Sequence, residues 1–207
     1  MRKNLGGKPF MYPQPVLIIG TYDQNGVANA MNAAWGSIAD FKKVALYLSA
    51  THKTVKNILN KKEFTVSMAT EDQVVACDYV GIVSGNKNLN KLDKTNWTIE
   101  KSEHVDAPTF AELPMTLECR MESYDEESEL LVGTIINVSV DEEILDDNGQ
   151  INPLKLKPIT FDASNNSYIG LGAKVGNAFK DGNQIKKNLQ VINKETDESV
   201  RFHFAIY

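Results

Sequence analysis

The sequence has few residues of the types that usually carry covalent or metal chemistry. Of its 207 residues, two are cysteines and three are histidines. Cys77 and Cys119 do not form a CxxC motif, and His52, His104 and His203 are far apart in the sequence, so no metal site or disulfide framework is predicted. Two cysteines without such spacing are typical of a reduced, intracellular protein, and we expect a cytoplasmic location.

Long apolar runs and long basic runs are also missing. No apolar stretch approaches the roughly 20 residues that a membrane-spanning helix needs, so we expect no membrane partner. Residues 1–9 have no apolar core of the kind found in a secretory signal, and none is expected. The net charge is −5. Because lysines and arginines occur only in short clusters, nucleic acid is not expected as a partner.

The chain has an ordinary globular composition, with 42 % hydrophobic and 24 % charged residues, and its length suits one domain. Short apolar segments separated by turns predict strands over 16–19, 28–35, 44–48, 64–68, 115–122 and 130–140. Only two helices are predicted, over 53–61 and 71–80, and residues 84–112 are expected to be irregular. Many short strands with few helices favour a β-barrel over an α/β sheet.

The entry into the first helix, Ser-Ala-Thr-His-Lys-Thr at residues 49–54, is the most informative stretch. Apolar residues at helical spacing follow over 55–59, and we expect Thr51 to be the N-cap. The first-turn N–H groups and the positive end of the helix dipole then lie beside several hydroxyls and Lys53, which suits a phosphate. An ordinary capped helix with a solvated lysine is equally compatible with these residues.

A run of small and amide residues precedes this helix. Asn25-Gly26 predicts a type I′ hairpin turn, because both residues tolerate positive φ. Residues 28–34 then consist only of alanine, asparagine and methionine. Small side chains let a ligand approach the backbone, and the amides can hydrogen-bond a polar heterocycle. Trp35, which ends the run, suits either stacking on a ligand or a place in the core.

Taken in order, these motifs resemble the flavin reductase-like, FMN-binding split-barrel proteins, and among them the flavoredoxin group. The resemblance covers residues 10–182. It rests on an ordered series, Asp23-x-Asn25-Gly26, Asn29-x-Met31-Asn32-x-x-Trp35, Ser49-x-x-His52-Lys53-Thr54, Glu63-Phe64-Thr65-Val66-Ser67 and Tyr168-x-Gly170-Leu171-Gly172. The later glycines read GxGxxxG rather than GxGxxG and lack a βαβ context, so a dinucleotide-binding fingerprint is rejected.

The resemblance implies FMN as the cofactor and a set of residues that contact it. Along the flavin ring and ribityl chain it places Asn29, Ala30, Met31, Asn32 and Ala33, with Trp35 beside them. At the phosphate it places Ser49, His52, Lys53 and Thr54, with Ala50 and Thr51 between them. Ser84, Gly85 and Lys94 match a second flavin-side loop, while Tyr168, Gly172 and Lys174 belong to a segment that reaches the flavin. His52 departs from the arginine often found there in the family.

The implied fold is mainly β, an FMN-binding split β-barrel (Greek-key-like) with a few short helices, over residues 1–182. Residues 183–207 are expected to be a C-terminal extension of unknown role that packs on the same domain. Within this extension, the strict alternation of 200–206 predicts a strand. The resemblance also implies a homodimer with the flavin at or near its interface.

The expected function is that of an FMN-dependent oxidoreductase that passes electrons from NAD(P)H or a redox protein through FMN. No catalytic side chain and no metal ligand is nominated, because the hydride chemistry belongs to the flavin itself. Three alternatives remain open. They are a reductase that releases FMN as an exchangeable substrate to a monooxygenase, a non-enzymatic flavin carrier or electron-transfer protein, and a protein that binds another small ligand.

Overall fold

The computed structural model describes residues 1–186. In chain order the elements are β1 (Leu17–Tyr22), β2 (Ala28–Ala33), β3 (Gly36–Asp40), β4 (Lys43–Tyr47), α1 (Lys53–Lys61), β5 (Glu63–Met68), α2 (Val74–Ile82), β6 (Ile99–Lys101), β7 (Pro108–Phe110), β8 (Met115–Asp125), β9 (Leu130–Val140), α3 (Pro153–Leu156), β10 (Ile159–Asp162) and β11 (Ser167–Gly170). Short 3₁₀ segments occur at Glu71–Gln73, Lys91–Lys94 and Glu142–Ile144. None of the helices in this part of the chain is long and apolar enough to cross a membrane.

Seven strands form one antiparallel sheet in the order β2-β1-β5-β8-β9-β4-β3. The two edge strands, β2 and β3, are separated in sequence only by Ala34 and Trp35. Three Cα steps span at most about 11 Å, whereas the edges of a flat seven-stranded sheet would lie about 29 Å apart. The sheet must therefore curl until its edges approach each other, which confirms the mainly β, barrel-like fold.

Gly36 lies where the two edges meet. A Cβ placed on this residue would be 3.0 Å from the Leu17 side chain of β1 and closer still to Leu46 of β4. Those two strands are well separated in the sheet order, so this double contact shows the closure directly. A side chain at residue 36 would push the barrel wall apart.

Two apolar clusters flank the sheet. The cluster inside the barrel contains Ile19 and Phe64, while the second, under α2, contains Ile18 and Val80. Ile18 and Ile19 are both fully buried although they point to opposite faces of β1. This double burial explains why residues 16–19 are a continuous apolar run rather than an alternating one.

The turn after β1 differs from the predicted type I′ geometry. Only Gly26 has a positive φ, of 79°, and its N–H donates to the Asp23 carbonyl at 3.0 Å. One Asp23 carboxylate oxygen also accepts from the N–H groups of Asn25 and Val27. Residues 146–149, another Asp-x-Asn-Gly sequence, form the same hydrogen bonds. The aspartate therefore decides the turn type, and the Asn-Gly pair alone does not.

Several other predictions of secondary structure are revised. The strand expected over 28–35 ends at Ala33, because the chain bends there to join the opposite edge of the sheet. The segment expected to be irregular, 84–112, contains a 3₁₀ turn and the hairpin β6–β7, whose strands are too short to show an alternating pattern. Strands β10 and β11 pair with each other and were not predicted.

The chain divides into two compact units, one of residues 1–171 and one that begins at Gly172. In the second unit, the Asn177 N–H donates to Asp181 and residues 183–186 are helical. The strand predicted at 200–206 lies outside the described residues. The division expected at residue 182 therefore stays a prediction.

Candidate functional site

Helix α1 begins at Lys53 with His52 as its N-cap, and the prediction of Thr51 as the cap is wrong. The Thr51 hydroxyl is instead 3.1 Å from that of Ser49, within a turn closed by the His52 N–H and the Ser49 carbonyl. The His52 side chain makes no capping hydrogen bond. The first-turn N–H groups of α1 therefore have no side-chain acceptor among the described residues, which leaves them available to an anion.

Buried hydrogen bonds fix the side chains around this helix end. Asn29 Nδ2 donates to Thr54 Oγ1 at 2.9 Å, and both residues are buried. Gly85 packs so closely on this pair that a methyl group there would collide with the Asn29 carboxamide and approach Lys53 Cβ. Strand β2, helix α1 and the loop after α2 are thus locked together at one point.

Lys53 is paired with a carboxylate. Its Nζ lies 3.3 Å from Asp23 Oδ2, and both side chains are largely buried. Burial opposes ionisation of Asp23, but the N–H groups of Val27 and Asn25 and the Lys53 ammonium outweigh it and hold the Asp23 pKa below its ordinary value. The turn before β2 therefore positions the first cation of α1.

Lys91 closes the other side of the same region. It is only 3 % exposed, and its Nζ donates to the Val80 and Val83 carbonyls at 2.8 Å each. These carbonyls lie at the C-terminal end of α2, where a cation interacts favourably with the helix dipole. Burial lowers the Lys91 pKa to about 8. The lysine fixes the path of the chain from α2 into the loop that carries Gly85.

These groups surround a cavity of about 330 Å³, which we call the helix-end cavity. Its lining combines residues of β2, the start of α1 and the end of α2 with the loop that follows: Asn29, Met31, Asn32, His52, Lys53, Thr54, Val80, Gly81, Ile82, Val83, Ser84, Gly85 and Lys91. Cationic groups, hydroxyls and amides converge there, and no carboxylate lines it. The electrostatics favour an anionic group.

A second cavity of about 340 Å³, the aromatic cavity, adjoins the first. It is lined by Met31, Asn32, Ala33, Ala34, Trp35, Tyr47, Leu48, Asp78, Gly81, Ile82, Phe161 and Tyr168. The two cavities share Met31, Asn32, Gly81 and Ile82, so they are neighbouring halves of one groove between β2 and α2. We refer to both halves together as the groove.

Two hydrogen bonds order the polar groups of the aromatic cavity. Tyr168 Oη donates to Asp78 Oδ1 at 2.7 Å, and Asn32 Nδ2 donates to the Cys77 carbonyl at 3.0 Å. Burial, reinforced by the Asp78 carboxylate, raises the Tyr168 pKa to about 12. The phenol therefore keeps its proton across the physiological range and presents a hydroxyl beside a carboxylate.

The structure brings most, but not all, of the predicted residues to the groove. Those that line it are Asn29, Met31, Asn32, Ala33, Trp35, His52, Lys53, Thr54, Ser84, Gly85 and Tyr168. Ser49, Ala50 and Thr51 precede the helix without lining either cavity, and Ala30 points into the core. Lys94 is exposed and outside both linings. Gly172 and Lys174 belong to the second unit of the chain.

Trp35 is not a core residue. It is 57 % exposed, because it occupies the sharp connection between the two sheet edges rather than a strand. Its ring borders the aromatic cavity together with Tyr47, which is 52 % exposed. Of the two roles that the sequence left open for Trp35, this placement favours contact with a ligand or with another chain.

Several groove residues were missed by sequence reasoning, among them Tyr47, Asp78, Gly81 and Lys91. Asp78 and Gly81 lie on α2, which was expected only to pack against the core. Among the lysines of the loop after α2, Lys91 is the one that directly precedes an apolar residue, Leu92. That neighbour, which is also buried, was the single weak signal in the sequence.

The residues present fit a flavin mononucleotide. Free N–H groups, Lys53, Lys91 and hydroxyls suit a phosphate, the amides suit a polar ring edge, and the aromatic cavity suits a planar ring. Among the described residues, no group of three or more histidine, cysteine or acidic side chains is arranged to hold a metal ion. Cys77 and Cys119 are free, and burial raises each thiol pKa to about 12.

The fold is that of a known class. Residues 10–161 match the flavin reductase like domain, and the chain belongs to that split-barrel family. It is similar to the flavoredoxin of Desulfovibrio vulgaris (Miyazaki F), with 34 % identity and a TM-score of 0.84 over 88 % of this chain and 100 % of that one. Flavoredoxin from Methanosarcina acetivorans is 28 % identical, with a TM-score of 0.80 over 89 % of this chain and 99 % of that one.

A more distant structure shares the fold. It is an FMN-binding domain of a flavin reductases-like enzyme from Shewanella baltica OS155, 21 % identical to this chain, with a TM-score of 0.71 over 79 % of this chain and 89 % of that one. At this identity the likeness shows the fold only.

Proposed function

We propose that the protein is an FMN-binding oxidoreductase that passes electrons from NAD(P)H or a redox protein through one FMN per chain. The observation that carries this proposal is the groove. Its helix-end cavity is cationic and polar and its aromatic cavity is lined by rings, whereas FMN has a phosphate at one end and a planar ring at the other. The flavin reductase like domain and the similarity to two flavoredoxins support it.

The phosphate is assigned to the helix-end cavity. There the first-turn N–H groups of α1 have no side-chain cap, and Lys53 and Lys91 supply positive charge. Thr54, held by Asn29, presents its hydroxyl beside them. The ring is assigned to the aromatic cavity, where Trp35, Tyr47 and Tyr168 offer planar surfaces.

Bound flavin would supply the hydride and electron chemistry, while the protein binds and orients it. Asn32 is fixed through the Cys77 carbonyl, and Tyr168 is fixed through Asp78, so both side chains are positioned before a ligand arrives. The hydroxyl and carboxylate of Tyr168 and Asp78 are the polar groups of this chain best placed to hold a proton near the ring.

A flavin titration tests the proposal. Quenching of flavin fluorescence should show one FMN site per chain, and riboflavin, which lacks the phosphate, should bind more weakly. Absence of binding to both flavins would refute the proposal. Anaerobic addition of NADH or NADPH to the FMN-loaded protein should then bleach the flavin absorbance near its visible maximum.

The same spectra separate the alternatives. Bleaching by a nicotinamide nucleotide with retained FMN indicates a bound-cofactor oxidoreductase. Bleaching with rapid exchange of FMN indicates a reductase that releases reduced flavin. Stoichiometric FMN that neither nucleotide reduces would contradict NAD(P)H as the donor and leave an electron-transfer protein supplied by a redox partner.

We also propose that the working unit is a homodimer. Edge strand β3 exposes Ile38, and Phe41 after it is fully exposed, close in sequence to the exposed Trp35. Large apolar side chains exposed within one short segment favour an interface there. A second copy of the chain covering this edge would also enclose the aromatic cavity. A sedimentation experiment that shows only a 23 kDa species with tightly bound FMN would exclude the dimer.

The cytoplasm stays the proposed location. Its support is the pair of free, buried cysteines, which is the usual state of thiols in a reducing compartment.

A further inference from the structure

A third cavity lies outside the groove, between the N-terminal segment of the chain and the connection from β2 to β3. Its volume is about 430 Å³, larger than that of either half of the groove. The large apolar side chains of its lining are Phe10, Met11, Trp35 and Tyr47. Sites for small organic molecules have this size and this apolar character. We call it the N-terminal cavity.

Gln14 lines the N-terminal cavity and is only 8 % exposed. Both polar groups of its main chain are bound, since its N–H donates to Thr160 Oγ1 at 2.8 Å and its carbonyl accepts from the Phe161 N–H at 2.8 Å. In the side chain, Nε2 donates to the Ala34 carbonyl at 2.5 Å. The carboxamide is therefore fixed in place before any ligand binds.

The Gln14 carboxamide nevertheless keeps two open hydrogen-bonding positions. Its oxygen accepts no hydrogen bond from the described residues, and Nε2 carries a second N–H besides the one given to Ala34. Within residues 1–186, no fully enclosed side-chain nitrogen or oxygen lacks a hydrogen-bond partner, so this oxygen is not sealed inside the protein. Gln14 thus offers one acceptor and one donor at the wall of an apolar cavity.

We propose that the N-terminal cavity binds a phenolic compound, an aromatic ring that carries a hydroxyl group. The ring contacts Phe10, Trp35 and Tyr47, whose side chains favour stacked or edge-to-face contacts with a planar ring. The hydroxyl donates to the Gln14 oxygen and accepts from Nε2. A hydroxyl is the smallest group that both donates and accepts, so it satisfies both open positions.

Other ligand chemistries fit this lining less well. A plain hydrocarbon would leave the Gln14 carboxamide unpaired, which is costly for a buried polar group. A carboxylate has no hydrogen to donate to the Gln14 oxygen, and it would lose its hydration among apolar walls. Lys8, the one charged residue that the described part of the chain contributes to the lining, is exposed.

The test compares 2-naphthol with 2-methoxynaphthalene by isothermal titration calorimetry on the FMN-loaded chain. The two ligands share a ring system, but the methoxy group cannot donate a hydrogen bond. Gln14→Met keeps the length of the side chain and removes both open groups. It should raise the Kd for 2-naphthol about threefold to tenfold, the range of one neutral hydrogen bond. The Kd for 2-methoxynaphthalene should change by less than about twofold.

The matched control is Gln150→Met, the same substitution at an exposed position outside this cavity. It should leave both Kd values unchanged. An equal loss of affinity for both ligands in Gln14→Met would overturn the proposal, because Gln14 would then serve only to hold Ala34. Unchanged affinities in Gln14→Met would overturn it as well, by placing the ligand elsewhere.

The wild-type chain provides a test that does not depend on the folding of Gln14→Met. It should bind 2-naphthol about threefold to tenfold more tightly than 2-methoxynaphthalene. Equal affinities would contradict the role of the Gln14 carboxamide. Absence of 2-naphthol binding would overturn the proposal outright, and it is the result expected if a second copy of the chain fills the cavity.

The phenol site and the proposed function can fail independently. The N-terminal cavity shares Trp35 and Tyr47 with the aromatic cavity, but Gln14 lines neither half of the groove. A wild-type chain that binds no FMN would refute the proposed function. The same titrations on the flavin-free chain then test the phenol site, since a loss in Gln14→Met that is selective for 2-naphthol reports this cavity alone. Lack of that selectivity would overturn the proposal.

Discussion

The two halves of the groove are built in different ways. In the helix-end cavity, the side chains are fixed by one another. Asn29 donates to Thr54, Asp23 pairs with Lys53, and Gly85 packs against Asn29 and Lys53. In the aromatic cavity, Trp35 and Tyr47 are more than half exposed. The side chains of the helix-end cavity are held by contacts within this chain, whereas the aromatic cavity presents Trp35 and Tyr47 to solvent.

This difference has a physical consequence for binding. A prearranged, charged cavity loses little entropy when an anion enters, so it contributes affinity and selectivity. Exposed rings offer mainly contact area, which does not depend on whether the ligand carries a phosphate. Changes in the first half should therefore separate FMN from riboflavin, and changes in the second half should affect both flavins alike.

The largest effect is expected from Thr54→Val. The change removes the acceptor of the Asn29 amide and a hydroxyl of the cavity, and a buried unpaired polar group costs about 1–3 kcal/mol. The Kd for FMN should rise about tenfold to a hundredfold, measured by fluorescence quenching. Thr54→Ser keeps the hydroxyl and is the matched control. Wild-type affinity in Thr54→Val would show that the phosphate binds elsewhere.

Gly85→Ala should have a smaller effect of about tenfold on FMN, since one displaced buried hydrogen bond corresponds to roughly 1.4 kcal/mol. The added methyl group meets the Asn29 carboxamide and must displace it or the loop. Gly7→Ala, where a methyl group would meet no atom within 4 Å, is the control. If Gly85→Ala binds FMN normally, the loop is more adaptable than its packing indicates.

Trp35→Ala and Tyr47→Ala test the aromatic cavity in the same way. Each should weaken FMN and riboflavin by the same factor, about twofold to tenfold, as expected for loss of one stacking contact. Because both residues are exposed, the free energy of unfolding should change little. Denaturant titration provides that check. Selective loss of FMN would place the phosphate, rather than the ring, at this end of the groove.

The smallest effect is expected in the pH dependence of the free energy of unfolding of the flavin-free protein. Burial lowers the Lys91 pKa to about 8, against about 10.4 in an unfolded chain. Between these values the unfolded state binds more protons, so this group makes the free energy of unfolding rise with pH. The stability difference between wild type and Lys91→Met, measured by urea unfolding, should shift in favour of wild type from pH 8 to 10. A difference independent of pH would show that Lys91 is not buried as a cation.

Local patterns were sufficient for much of the fold. The helix predicted at 53–61 is found at Lys53–Lys61, and the strand predicted at 130–140 is found at Leu130–Val140. Both have a clear periodicity and clear ends. The pairs β6–β7 and β10–β11 were missed because strands of three or four residues form through their partners rather than through their own pattern.

The residues of the groove also divide into those that a local pattern predicts and those that it does not. Asn29, Lys53 and Thr54 could be nominated because an amide-rich strand and a helix start are local motifs. Asp78 and Lys91 could not, since each becomes part of the groove only when α2 and its following loop pack beside β2.

The sequence by itself determined the class of fold, the family, the start of α1 and the polar character of β2, because these depend on neighbours in the chain. Only the tertiary structure decided which lysine is buried, where Trp35 points and how the sheet closes. Lys91 and Lys94 have similar surroundings in sequence, yet one is 3 % exposed and the other lies on the surface. Burial depends on residues distant in the chain, so local sequence could not single out Lys91.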